Sequence, residues 1–223
     1  MSAQHKVILI GDQTNFHHCA AEQMVARGMS VSSYPALAKP ERILNEDVPA
    51  GSSMNIVFTP TELNEFALFD QDLAAGSSRL CEAVGPRIRA FMPQAQAAVR
   101  VLLRAGGGQL WVCDYDDSFG YHLDVEASPI VAQARAAAVR SLAKEYSRMK
   151  ILVNTLLIQP LADGNEAKFK GASSLRSYAM RYKPSAAADV TDLLTNFIGS
   201  GRLAFSGATI GTGMGVQQAH LIA

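Results

Sequence analysis

The sequence has little cysteine, no surplus of charge and no long apolar run. Its three cysteines, Cys19, Cys81 and Cys113, are odd in number and far apart, which fits thiols of a reducing cytoplasm better than a disulfide framework. The 20 basic and 20 acidic residues cancel, which argues against binding to nucleic acid or to an anionic membrane. The apolar run near the N-terminus is too short for a signal peptide or a membrane span. We therefore expect a cytoplasmic protein that binds neither nucleic acid nor membrane.

What is present is the composition of an ordinary globular domain, with 223 residues of which 48% are hydrophobic. A short apolar run, Lys6–Ile10, ends at Gly11 and is followed by a helical stretch, Cys19–Arg27. Gly28 then precedes a second apolar run, Met29–Val31. The order strand, turn, helix, glycine and strand is typical of a βαβ unit. We predict one α/β domain over residues 1–223.

A long helix followed directly by an apolar strand lies between Ser128 and Pro160. Strong helix formers fill Val131–Lys144, and Pro129 stands where a first helical turn tolerates proline. The following run, Ile151–Ile158, has almost no alternation of polar and apolar residues. Such a run is typical of a strand that is covered on both faces, as in a parallel sheet.

This stretch resembles the short-chain dehydrogenase/reductase family. In that family a helix that carries Y-x-x-x-K is followed by R-S-L-A-x-E and then by I-R-V-N. Arg140–Glu145 and Ile151–Asn154 match these two motifs in residue and spacing, and Phe205–Ile210 resembles the closing strand of the family. The resemblance covers nearly the whole chain. It implies a Rossmann-like, doubly wound parallel sheet.

The dinucleotide motif of the family is incomplete in this chain. Gly11 matches the first glycine of T-G-x-x-x-G-x-G, but Asn15 and His17 occupy the other two glycine slots. Those glycines let the backbone approach the pyrophosphate and let the helix lie close to the strand. We expect the two side chains to crowd that space. The resemblance, read with these departures, implies that the chain binds no cofactor.

The chain is also short after the second predicted strand. Little more than twenty residues separate Val31 from the next predicted strand, Asn55–Thr59, where family members have room for two strand–helix units. Only a short helical piece, Pro40–Glu46, fits there, because a complete crossover takes about a dozen residues or more. We predict that one strand–helix unit is lost or reduced at the edge of the sheet that would hold the adenosine.

The catalytic slots of the family hold other residue types. Counting from the matched motifs places Tyr115, Ser128 and Ala132 in the slots of the catalytic serine, tyrosine and lysine. Arg87 lies near the slot of the catalytic asparagine. The resemblance therefore implies the family scaffold without its catalytic groups.

Three other groups could still carry chemistry. The loop Asp114–Ser118 follows a predicted parallel strand, where open α/β sheets place ligands, and its carboxylates could bind Mg²⁺ or Ca²⁺. A solvated loop is the commoner outcome for such a sequence. Tyr115 or Tyr121 could serve as a relocated acid, and Arg135 could replace the missing lysine. The adjacent pair His17-His18 could be a metal pair, but neighbouring residues of a helix point to different faces, which argues against it.

Small residues on the central helix indicate close packing. Ala132, Ala136 and Ala143, together with Arg135 and Val139, form the predicted oligomer interface. Small side chains let a second helix approach at the short end of roughly 8–10 Å between axes. In the resembled family this helix belongs to a four-helix dimer interface. Packing of the helix on its own sheet favours small residues as well, and we expect both.

Three functions remain open. The first is a non-catalytic subunit that assembles with a homologous, active NAD-dependent dehydrogenase, as the inactive subunits of heterotetrameric alcohol dehydrogenases do. The second is an atypical NAD(P)-dependent oxidoreductase with relocated catalytic residues. The third is a cofactor-free enzyme or small-ligand binder that uses the Asp114–Ser118 loop. We favour the first, because the motifs of the fold are present and those of the site are replaced.

Overall fold

Six parallel strands form one sheet in the computed structural model of the chain, which describes residues 5–49, 52–116, 127–159, 161–163, 185–201 and 203–212. The order across the sheet is β2-β1-β3-β4-β5-β6, and every neighbouring pair is parallel. The strands are β1 His5–Gly11, β2 Ser30–Pro35, β3 Ser53–Phe58, β4 Gly108–Tyr115, β5 Ile151–Ile158 and β6 Thr209–Thr212.

Helices connect the strands and cover the sheet. They are α1 Asn15–Ala26, α2 Pro40–Leu44, α3 Glu65–Ala75, α4 Arg79–Arg104, α5 Pro129–Tyr146 and α6 Ala187–Gly199, with a short 3-10 turn at Ser147–Met149. In the described part of the chain, no helix combines the length and the apolar character that crossing a bilayer requires.

Both faces of the sheet are buried, which explains the continuous apolar runs of its strands. Alternate residues of β1 point to opposite faces: Ile8 and Ile10 belong to one core, Val7 and Leu9 to the other. The first core lies under α2, α4 and α5, and the second lies under α1 and α6. The predicted doubly wound parallel sheet is therefore confirmed.

The edge of the sheet beside β2 is reduced, as the short spacing predicts. No further described strand pairs with β2 beyond its contact with β1, and most of its residues are exposed or half-buried. Among the described residues between β2 and β3, α2 is the one helix, and it has five residues. One strand–helix unit is thus missing relative to the doubly wound sheet that the resemblance implies.

Two glycines, Gly107 and Gly108, allow β4 to enter the sheet beside β3. Gly107 and Gly108 have φ of 130° and 150°, values that L side chains rarely adopt. A Cβ on Gly108 would lie 2.1 Å from the backbone oxygen of Met54, the residue with which Gly108 pairs in β3. The glycine run that follows α4 is therefore required by close backbone packing.

Candidate functional site

The carboxyl ends of β1 and β3 border the crevice in which open α/β sheets bind ligands. The chain leaves β1 through α1 to reach β2 on one side, whereas β3 pairs on the other side of β1. The connecting helices α1 and α2 lie on opposite faces of the sheet. Such a reversal defines the topological switch point, where a dinucleotide would place its pyrophosphate.

The side chain of His17 occupies this crevice. It is 1% exposed, although it lies in the first turn of α1. Its Nδ1 lies 3.2 Å from Oγ1 of Thr59, which follows β3, and its Nε2 lies 3.3 Å from Oγ of Ser33 in β2. Nε2 also lies 3.2 Å from Nε2 of Gln13 in the loop after β1. One imidazole therefore joins the ends of three segments across the crevice.

These contacts fix which imidazole nitrogen carries the proton. The amide nitrogen of Gln13 only donates, so Nε2 of His17 accepts and Nδ1 donates to Thr59. Burial lowers the pKa of His17, and the nearby His18 lowers it further while Asp12 raises it. The imidazole is consequently held in its neutral form.

The retained first glycine is explained by contacts within the chain. A Cβ on Gly11 would lie 1.9 Å from Oγ1 of Thr59, so the Thr59 side chain already occupies the space above the glycine. Asn15, in the second glycine slot, is exposed, and its Oδ1 accepts a weak hydrogen bond from Sγ of Cys19 at 3.7 Å. Of the two side chains predicted to crowd the crevice, His17 lies in it and Asn15 does not.

Ser128 stands in the tyrosine slot of the family, and its hydroxyl already makes a hydrogen bond within the chain. Ser128 is 5% exposed, and its Oγ donates to the backbone oxygen of Leu63 at 2.8 Å. Ala132, in the lysine slot, is half-buried and donates its N–H to the backbone oxygen of Ser128 at 2.8 Å. Tyr115, in the serine slot, is the half-buried last residue of β4. Arg87 lies 3.5 Å from the carboxylate of Asp12, after β1.

Glu65 binds the first N–H groups of α5 in the same region. The sequence analysis did not predict this contact. Glu65 is 2% exposed, and its carboxylate accepts from the backbone N–H groups of Ile130 at 2.7 Å and Val131 at 3.3 Å. A carboxylate is stabilised at this end of a helix by the unpaired N–H groups and by the helix dipole. The partners are 65 residues or more apart in sequence, so no local sequence pattern predicts the contact.

A buried ion pair lies between the ends of β3 and β4. Nη1 of Arg135 donates to Oδ1 of Asp114 at 2.9 Å and to the backbone oxygen of Thr59 at 3.2 Å, and both charged side chains are 5% exposed. The guanidinium also lies over the Phe91 ring, 5.3 Å from its centroid. Burial raises the pKa of the Asp114 carboxyl, while the charge of Arg135 acts in the opposite direction. Arg135, predicted as a substitute for the missing lysine, is therefore held by the side chain of Asp114.

Two atoms of this pair, and one atom of a buried threonine in the segment after β3, make no hydrogen bond within the described residues. They are Oδ2 of Asp114, Nε of Arg135 and Oγ1 of Thr61, which is itself 3% exposed. Asp117, Ser118 and Tyr121 lie outside the described residues. Among the described residues, no group of three or more histidine, cysteine, aspartate or glutamate side chains is placed to hold a metal ion.

The predicted interface residues lie on different sides of α5. Arg135, Val139 and Ala143 are buried inside their own subunit, at 5%, 2% and 6% exposure. Ala132 and Ala136 are half-buried. The first three serve the packing of α5 on its own sheet, so the predicted contact with a second chain falls to Ala132, Ala136 and the exposed residues beside them.

The whole chain is similar in structure to short-chain dehydrogenases/reductases. A short-chain type dehydrogenase/reductase from Mycobacterium ulcerans matches with a TM-score of 0.65 and 14% identity, over 95% of this chain and 90% of that one. The TT0495 protein from Thermus thermophilus matches at 0.66 and 15%, over 94% and 97%. An oxidoreductase (short chain dehydrogenase/reductase) from Brucella ovis matches at 0.58 and 13%, over 93% and 99%.

At this level of identity the similarity shows the fold. No protein-family model and no curated protein matches the sequence. The chain therefore has the fold of the short-chain dehydrogenases/reductases, and its function has to be argued from its own residues.

Proposed function

We propose that this chain is a non-catalytic subunit that assembles with a homologous, active, NAD-dependent dehydrogenase and stabilises it. In this proposal the partner binds the dinucleotide and performs the hydride transfer in a cytoplasmic heterotetramer. The present chain supplies the same fold, without a cofactor and without activity of its own.

The filled crevice carries this proposal. The His17 imidazole and the Thr59 side chain hydrogen-bond to each other at 3.2 Å beside Gly11, and this contact supports the proposal that a pyrophosphate has no room there. Opening that space would leave buried polar groups without partners, which costs free energy. The slots of the catalytic tyrosine and lysine hold Ser128 and Ala132, and the Ser128 hydroxyl is bonded to a backbone carbonyl. Binding and proton transfer would both require residues that this chain has replaced.

The substrate part of the proposal rests on resemblance. Among the heterotetrameric alcohol dehydrogenases with an inactive subunit, one oxidises the hydroxyacyl-CoA 2-(hydroxy(phenyl)methyl)succinyl-CoA. We propose a partner that acts on a hydroxyacyl-CoA of this kind. The activity assay of the co-expressed chains therefore includes that compound beside simpler secondary alcohols.

Co-expression with a homologous, active dehydrogenase from the same organism tests the assembly. The two chains are expected to elute together in size exclusion, with the NAD-dependent activity confined to the complex or to the partner. The chain alone is expected to oxidise none of the tested alcohols. Separate elution of the two chains, together with full activity and stability of the partner alone, would contradict the proposal.

A cofactor-free small-ligand binder is the second candidate. The unpartnered atoms of Asp114, Arg135 and Thr61 favour it, because buried polar atoms without partners are places where a small polar molecule gains hydrogen bonds. Such a ligand would raise the melting temperature of the chain in a concentration-dependent way. Arg135→Met would abolish that rise.

A further inference from the structure

A cleft of about 430 Å³ lies between the C-terminal part of α5 and the turn that leads into β6. This volume falls within the range of small-molecule pockets, roughly 300–1,000 Å³. Two of the side chains that line the cleft are cationic, two carry hydroxyl groups, and none of the described lining residues is acidic. The described lining residues are Arg140, Ala143, Lys144, Ser147, Ser206 and Gly207.

The two cations are neighbours on one side of α5. Arg140 and Lys144 are four residues apart and Ser147 follows three residues later, so all three lie on one face of the helix. Both cations are exposed, and neither makes a hydrogen bond or an ion pair with another described residue. The adjacent acidic residue, Glu145, is hydrogen-bonded to Tyr146. Arg140 and Lys144 therefore have no counter-charge in the described part of the chain.

The helix dipole explains only one of these two cations. Lys144 lies in the last turn of α5, where a cation offsets the negative end of the dipole. Arg140 lies one turn earlier, and the dipole effect falls off within the last turn. Two cations four residues apart on a helix also repel each other. An anion held between them would remove this repulsion, so the pair suits an anionic ligand.

The opposite wall of the cleft is held in place by β5. Oγ of Ser206 accepts from the backbone N–H of Val153 at 3.1 Å, and the N–H of Gly207 donates to the backbone oxygen of Val153 at 2.7 Å. Because Oγ of Ser206 is the acceptor in this contact, its own proton remains for a ligand. Gly207 has a φ of 80°, and a Cβ on it would lie 3.2 Å from Cβ of Ala143, so glycine lets this turn approach α5 closely. A wall that is already ordered lowers the entropic cost of binding.

We propose that the cleft between α5 and the β6 turn binds the phosphate group of a small phosphomonoester. The guanidinium of Arg140 presents paired donors that match phosphate oxygens, and the ammonium of Lys144 adds a second positive charge. The hydroxyls of Ser147 and Ser206 can donate to the remaining oxygens. A water molecule takes about 30 Å³ in the liquid, so the cleft also has room for an organic group beside the phosphate. This site is separate from the filled crevice, and the inference does not depend on the proposed function.

Calorimetric titration of the isolated full chain with phenyl phosphate, at a constant ionic strength of about 100 mM, tests the site. Saturable binding with a Kd below about 1 mM is expected. Inorganic phosphate is expected to bind at least about threefold more weakly, because it lacks the organic group. The double variant Arg140→Gln with Lys144→Gln is expected to raise the Kd for phenyl phosphate at least about tenfold, because it removes both charged donors.

A matched control removes two exposed cations from another helix. Arg89→Gln with Arg100→Gln, both on α4, gives the chain the same net charge as the first double variant. Its Kd for phenyl phosphate is expected to stay within about twofold of the wild-type value, because exposed charges beyond a Debye length are screened. Circular dichroism and thermal melting check that both double variants are folded. Backbone amide NMR shifts in the wild type locate the bound compound without any substitution, and the largest shifts are expected near Ser147 and Gly207.

Three results would overturn the inference. The first is the absence of saturable binding up to about 10 mM phenyl phosphate, together with amide shifts that do not cluster at the cleft. The second is an equal rise of the Kd in both double variants, which would indicate attraction to the overall charge. The third is equal affinity for phenyl phosphate and inorganic phosphate, which would exclude a contribution from an organic group. All three use the chain alone, so any of them leaves the assembly proposal and its co-expression experiment intact.

Discussion

The imidazole of His17 contacts residues that come together only in the folded chain. Gln13 lies in the loop after β1, Ser33 in β2, and Thr59 after β3. A hydrogen-bond network that joins three segments depends on the protonation state of its central group. His17 therefore makes the stability of this crevice depend on pH.

We predict that acid destabilises the chain in part through His17. Because burial lowers the pKa of the folded-state imidazole below its ordinary value of 6.5, the unfolded chain takes up a proton before the folded one does. The stabilisation is present above pH 6.5 and is lost as the pH falls from that value towards the pKa of the folded state. His17→Gln removes the titrating group, so its free energy of unfolding should fall less than that of the wild type between about pH 7.5 and about pH 5.5.

His18→Gln is the control for this measurement. His18 is exposed, and its removal should leave most of the pH dependence in place, apart from its own effect on the neighbouring imidazole. Urea unfolding of the three proteins across the pH range gives the comparison. An equal loss of stability in the wild type and in His17→Gln would contradict the prediction.

We predict that Gly11→Ala destabilises the chain by about 1–3 kcal/mol, the usual cost of an overpacked site. The new methyl group would lie 1.9 Å from Oγ1 of Thr59, so that side chain would have to rotate away and release His17. Adding Thr59→Ala should recover part of the loss, and a double-mutant cycle measures this coupling. Gly211→Ala is the control, because nothing lies within 4 Å of its added Cβ and the substitution should be nearly neutral.

At the scale of whole elements, two carboxylates determine how α5 is placed. Glu65 at the start of α3 holds the first N–H groups of α5, and Asp114 in β4 holds Arg135 one and a half turns further along. Both are buried contacts between elements that are distant in sequence. They hold the end of α5 at which Ser128 lies.

We predict that Glu65→Gln lowers the free energy of unfolding by about 1 kcal/mol or more, because the neutral amide loses the attraction to the helix dipole and presents an NH₂ group that cannot accept. Glu82→Gln provides the control, since Glu82 also lies in the first turn of a helix but is exposed. Its effect should be less than half as large. Chemical denaturation of both variants measures the difference, and equal effects would show that burial at α5 adds nothing.

For the molecule as a whole, the carboxyl edge of the sheet and the outward sides of α4 and α5 differ in exposure. The crevice at the carboxyl edge is filled by the chain's own side chains, whereas the outward sides of α4 and α5 leave Met92, Leu103 and Ile130 exposed.

We predict that about 1 mM NAD(H) or NADP(H) leaves the melting temperature of the isolated chain unchanged. A dinucleotide bound with a Kd of about 10 µM would add about 2.7 kcal/mol at that concentration. For a chain of this size that corresponds to a rise of roughly 5–10 °C. Thermal melting with and without nucleotide therefore separates the alternatives, and the co-expressed complex, which would contain an active subunit, should show the rise.

Several features of this protein were determined by the sequence alone. The apolar runs predicted parallel strands buried on both faces, and the short spacing after β2 predicted the missing strand–helix unit. The residue types in the glycine, tyrosine and lysine slots were also visible directly. These are local properties, because strand burial appears as an apolar run and motif slots appear as spacing.

Only the tertiary structure decided where the side chains lie. Asn15 and His17 look equivalent as occupants of glycine slots, yet one is exposed and the other is buried in the crevice. Glu65 and Arg135 acquire their partners from segments that are distant in sequence. The physical reason is that a hydrogen bond or an ion pair depends on distances and orientations across the fold, and the order of residues along the chain does not specify them.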